Sequence, residues 1–133
     1  MRVVYLCRHA KAAPGDPDEL RELTASGVGQ ARALGERLAA SPDPPVVVLT
    51  SPLVRARQTA AIVAEETEAE LRVEPLLAPG ATVDDVRRAV GAVTGSVATV
   101  GHQPDCSEIA VAVTGRDPGF SPGGFARLEL SSD

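Results

Sequence analysis

Both histidines of the chain stand directly after short apolar runs: His9 behind Arg8 at the end of residues 3–7, and His102 behind Gly101 at the end of residues 97–100. A third apolar run, residues 46–50, is followed by Ser51-Pro52-Leu53-Val54-Arg55. Two guanidiniums and two imidazoles in matching positions suit an anion. Guanidinium is permanently charged, and its planar fork fits phosphate oxygens. A neutral imidazole is a competent nucleophile toward phosphorus. Phosphoryl transfer needs in-line positioning and neutralisation of the equatorial oxygens, which fixed arginines supply without a metal. Taken singly, a histidine after a strand is more often structural and an arginine more often solvated. Their shared placement is what points to a dianion site, most simply for a phosphoryl group.

The placement depends on the elements that carry it. Residues 3–7, 46–50, 71–73 and 97–100 read as strands, the longer ones apolar throughout like strands buried in parallel sheets. Between them, Thr24 is expected to cap a helix to about Ala40, with Val28, Ala31, Leu34 and Leu38 on one face. Ser51 is expected to cap a second helix to about Thr67, with Pro52 at its first position. Thr82 is expected to cap a third over residues 83–93, and a fourth covers about 106–114. Residues 125–130 alternate Ala126, Leu128 and Leu130 with polar neighbours, as a strand with one wet face does. Strands alternating with helices imply an α/β domain with a mainly parallel sheet. In such sheets ligands bind beyond the carboxyl ends of the strands, where both histidines and both arginines fall. Arg55 would also lie in the first turns of a helix whose N-terminus favours an anion.

Composition narrows the remaining classes. The chain has 133 residues, enough for one core, and a formal net charge of −5. That charge disfavours non-specific binding to nucleic acid or anionic lipid, and three aromatics make no base-stacking platform. No run is long enough to span a bilayer and residues 1–7 show no signal pattern, so a cytoplasmic protein is expected. Cys7 and Cys106 read as buried thiols, and no His/Cys cluster has metal-ligand spacing. Six residues beyond Cys7 stands Ala13, not the arginine of a cysteine phosphatase loop. Lys11, the only lysine, has no phosphate-loop context, Gly27-x-Gly29 follows a loop and continues to Arg32, and no Gly-x-Ser-x-Gly turn occurs.

Leu6-Cys7-Arg8-His9-Ala10, the segment from Ser51-Pro52 through Arg55-Ala56-Arg57-Gln58-Thr59, and Gly101-His102-Gln103-Pro104 resemble the three signatures of the histidine phosphatase superfamily. With the Arg21-Glu22-Leu23-Thr24-x-x-Gly27 segment and no inserted cap, the likeness is greatest to SixA-type phosphohistidine phosphatases. The resemblance covers nearly the whole chain. It implies one three-layer α/β/α domain over 1–133, phosphoglycerate-mutase-like, with a mainly parallel sheet and one antiparallel edge strand. It further implies His9 as the nucleophile of a phosphohistidine intermediate. Arg8, Arg55 and a protonated His102 would bind the phosphoryl oxygens, with no metal or organic cofactor.

Two departures from the family pattern matter. Ala10 stands where the family usually has glycine, which is tolerable if the backbone there has negative φ. Where many members place an acidic proton donor in a Leu-x-Glu context, this chain reads Leu76-Leu77-Ala78. General-acid help is commonly worth about 10²–10⁴-fold, and an alkyl alkoxide needs it. Phosphohistidine does not, because it leaves as neutral imidazole once its ring is protonated from solvent. The expected substrate is therefore phosphohistidine on a protein such as a phosphotransfer domain. Alternatives are a general phosphatase of small phosphorylated substrates and a phosphoprotein-binding module with weak activity. Asp16, Asp18 or Glu108 could stand in as acid, Asp18 with the best claim, and Ser51 is an accessory candidate.

Overall fold

The computed structural model describes residues 2–131. Met1, Ser132 and Asp133, the ends of the expected 1–133 domain, lie outside the described residues. The β-branched and apolar runs form five strands: β1 (Arg2–Arg8), β2 (Val47–Thr50), β3 (Glu70–Val73), β4 (Val97–Gly101) and β5 (Phe125–Leu130). They make one sheet in the order β3-β2-β4-β1-β5, parallel except for β5, which runs antiparallel along β1. Between them lie α1 (Ala25–Ala39), α2 (Val54–Thr67), α3 (Val83–Val90) and α4 (Asp105–Thr114).

Side chains alternate across the sheet and so divide the core in two. Tyr5, Cys7, Val48, Ala98 and Val100 pack with Leu34 and Leu38 of α1 and Ala60 and Val63 of α2. Val4, Leu6, Val47, Leu49 and Val97 pack with Val86 and Val90 of α3 and Ile109 of α4. Both faces of the central strands are covered, which is why they are apolar throughout. The three-layer α/β/α arrangement with one antiparallel edge is the one expected. β1 and β4 are neighbours, yet β1 leads to a helix on one face and β4 to a helix on the other. Their carboxyl ends therefore flank a topological switch point, where open α/β sheets form ligand crevices.

Local signals account for most element ends. Thr24 Oγ1 accepts the Gly27 N–H at 3.0 Å, as an N-cap should. Thr82 and Asp85 form a reciprocal capping box. The third helix ends at Val90 rather than residue 93, because Gly91 closes it and Val93 turns into the core. The second helix begins at Val54, with Leu53 rather than Ser51 in the cap position. Ser51 has a different occupation, described below.

Candidate active site

Backbone contacts first draw the strand ends together. The His9 N–H donates to Gly101 O at 3.0 Å, joining β1 to β4 just where their connections part. Arg8 N–H donates to Gly124 O, and Gly123 N–H to His9 O, so the segment before β5 forms a third wall. Ala10 is fully buried, and its N–H donates to Thr59 Oγ1 at 3.0 Å. That hydroxyl donates in turn to the Arg55 carbonyl at 2.8 Å, which staples α2 to the loop behind His9. Among the described residues only Glu68 and glycines have positive φ, so Ala10 meets the condition set for it.

The site residues expected from the sequence come together here. The two imidazoles lie 5.2 Å apart between ring centroids. His9 Nδ1 is 2.7 Å from the Ala10 carbonyl. A carbonyl only accepts, so the proton sits on Nδ1 and Nε2 carries the free lone pair. His102 is 4 % exposed, and its Nε2 is 2.7 Å from Ser51 Oγ. Arg8 Nη1 donates to the Phe120 carbonyl at 2.8 Å. Arg55, 7 % exposed, donates from Nη1 to the Asp18 carbonyl at 2.9 Å and from Nη2 to Asp18 Oδ2 at 3.1 Å. Each guanidinium is thus anchored by one end. Arg8 Nε, Arg55 Nε and His102 Nδ1 are buried without a protein partner, as are Arg87 Nε on α3 and Thr99 Oγ1 in β4.

The electrostatics follow from burial and from the arginines. Burial pushes the His9 imidazole below its ordinary value; the Ala10 hydrogen bond opposes this, and the Arg55 and Arg8 charges add to it. Burial, then His9 and Arg55, pull His102 down to about 4. The protonated His102 implied by the family resemblance is therefore not the form of the free site at neutral pH. A bound dianion would supply the counter-charge that draws the proton on. Asp18 is held below the usual carboxylate range, first by its hydrogen bond from Arg21, against an opposing desolvation and with further lowering by Arg55. It is ionised at neutral pH in the free site.

Of the other carboxylates, Glu74 and Asp105 are engaged by backbone N–H groups. Glu74 caps its own turn through the Leu76 N–H at 2.9 Å. The Pro75–Leu77 turn lies beside the end of β4, and a Cβ on Gly101 would meet the Leu77 carbonyl at 3.9 Å. Ala78 is thus near the site, without a carboxylate. Asp16 and Glu108 are exposed. Asp105, not foreseen, is buried and accepts the Gly80 and Ala81 N–H groups at 2.8 and 3.1 Å, pinning that loop to α4. Thr59 and Gln58 were also missed as supports; Gln58 accepts the Leu23 N–H at 2.8 Å. The spacing of Thr59, four after Arg55 on one helix face, was the available signal. Cys7 and Cys106 are buried free thiols, as expected, each pushed upward by burial.

A model of the histidine phosphatase superfamily (branch 1) matches residues 4–79, more than half of the chain. The chain belongs to the histidine phosphatase superfamily and is a phosphatase. Its structure is similar to that of the protein histidine phosphatase SixA complexed with tungstate: 27 % identity over 98 % of this chain and 89 % of that one, TM-score 0.87. It is also similar to structures assigned as phosphohistidine phosphatase SixA from Nakamurella multipartitia and from Agrobacterium tumefaciens. The first is 30 % identical over 95 % of this chain and 83 % of that one, TM-score 0.78. The second is 28 % identical over 95 % and 90 %, TM-score 0.82. Comparison with curated proteins finds no match. Among the described residues, no helix of this phosphatase is long and apolar enough to cross a membrane.

Proposed function

We propose that this phosphatase removes the phosphoryl group from phosphohistidine on a cytoplasmic protein such as a phosphotransfer domain, with His9 as its nucleophile and no metal or organic cofactor. One observation carries the reading: His9, its Nδ1 fixed by the Ala10 carbonyl, stands 5.2 Å from His102 between ring centroids and feels the charges of Arg55 and Arg8. The Nε2 lone pair attacks phosphorus while the P–N bond to the substrate imidazole breaks. Its electron pair leaves with a ring already protonated from solvent, which departs neutral. Arg8 and Arg55 neutralise the equatorial oxygens, and His102 donates from Nδ1. Water then forms a P–O bond as the P–Nε2 bond breaks. The electron pair returns to Nε2, and the water proton passes to solvent. No step calls for a general acid, in keeping with Ala78 and the ionised Asp18. The reading includes one domain over 1–133 without a cap, so that a side chain on a protein surface can enter.

Trapping the intermediate tests it. Brief reaction with a ³²P-labelled phosphohistidine protein, stopped in alkali, should leave acid-labile, alkali-stable label on the wild-type chain and none on His9→Ala. His9→Ala should also lose turnover while keeping its fold. Label persisting on His9→Ala, or stable to acid, would remove His9 from the nucleophile role.

A further inference from the structure

Ser51 is fully buried at the carboxyl end of β2, and its hydroxyl has two hydrogen-bonding neighbours. It accepts the Leu53 N–H at 3.3 Å and lies 2.7 Å from His102 Nε2. Two proton arrangements satisfy these distances. If Nε2–H donated to Ser51, the hydroxyl proton would have no acceptor, and Nδ1 would hold a bare lone pair. Two buried groups would then be unsatisfied, each at a desolvation cost, and the lone pair would repel an incoming oxyanion. If Ser51 donates to Nε2, the hydroxyl, the Leu53 N–H and Nε2 are all satisfied. Only an Nδ1–H then lacks a partner. His102 follows β4, which lies between β2 and β1, and its ring centroid is 5.2 Å from that of His9.

We infer that Ser51 is a positioning residue whose hydroxyl keeps the proton of neutral His102 on Nδ1, so that the ring meets a phosphoryl oxygen as a donor before substrate arrives. The consequence for turnover rests on the proposed function; the tautomer itself does not. His9 is held in the same Nδ1–H form by a different partner, the Ala10 carbonyl, for the opposite use. One ring presents its lone pair and the other its N–H.

The full chain, ¹⁵N-labelled at pH 7.5, can be read by two-bond ¹H–¹⁵N correlation of the imidazoles. With two histidines in the sequence, a His102→Gln variant assigns the signals. Both rings should show the Nδ1–H pattern. In Ser51→Ala the His102 pattern should shift toward Nε2–H with His9 unchanged, and kcat should fall about 10–100-fold with a much smaller change in KM. An Nε2–H pattern for His102 in the wild type overturns the inference, whether or not Ser51→Ala folds. So does an unaltered His102 pattern, or unaltered kcat, in a folded Ser51→Ala. The Nδ1–H pattern in a wild type that releases no phosphate would sustain the inference and defeat the proposed function instead.

Discussion

His9 and His102 are the same side chain in nearly the same place, and what each nitrogen touches sets their different behaviour. Burial first, and nearby positive charges with it, hold both imidazoles below the ordinary value, so His9 keeps its lone pair at pH 6.5. A pH series of kcat/KM, taken per protonated phosphohistidine substrate so that it reports the free enzyme, should therefore stay level as pH falls from 8 through 6.5 and drop only below that. A fall centred at 6.5 or higher would contradict this. Asp18 gives a second test. It pairs with Arg55 and Arg21 and is ionised in the free site, and the proposed reaction asks no proton of it. Asp18→Asn should change kcat/KM by less than about tenfold, whereas loss of a general acid costs about 10²–10⁴-fold. At this scale Arg8, His9, Arg55 and His102 were legible because each follows a strand end. Asp105 was not, because its partners are backbone groups of a segment remote in sequence; for Thr59 the spacing gives the Arg55 contact but not the one to the Ala10 N–H.

Elements place those residues, and the α1 glycines show how narrowly. A Cβ on Gly27 would collide with the Lys11 carbonyl, which belongs to the loop leaving His9 and accepts the Thr24 N–H. A Cβ on Gly29 meets nothing within 4 Å. Gly27→Ala should therefore lower both stability and turnover by shifting the loop. Gly29→Ala should leave turnover unchanged and raise stability by about 0.5–1 kcal/mol, the usual gain of alanine over glycine inside a helix. Urea denaturation and steady-state kinetics on the pair check both. By residue type and spacing the two glycines are alike, both falling in the first turns of the helix that Thr24 caps. Strand and helix identities were legible because their apolar periods are strong and Thr24 and Thr82 are good caps. The start of α2 was not, since Ser51 reads equally as a helix cap and as a partner for a histidine 51 residues away.

For the whole molecule, the histidines tie stability to pH. Below pH 6.5 the unfolded chain binds a proton at His102 that the native site refuses until about pH 4. Stability contributed by this group is thus complete above 6.5 and lost across that window. Asp18, held low in the folded state, acts in the same direction at still lower pH. Urea midpoints should fall from pH 7.5 to 4.5, and His102→Gln should flatten part of the slope; an equal slope in the variant would place the acid sensitivity elsewhere. On the scale of function, an acidic chain sets Arg8 and Arg55 beside two histidines at the switch point, an arrangement suited to a phosphoryl group. The most direct measurement is phosphate release from a phosphohistidine peptide, an aryl phosphate and an alkyl phosphate side by side, with EDTA present. The account predicts rapid, EDTA-insensitive release from phosphohistidine, ahead of the alkyl ester by about 10²-fold or more. Equal or faster hydrolysis of the alkyl ester, or loss of all activity in EDTA, would contradict it.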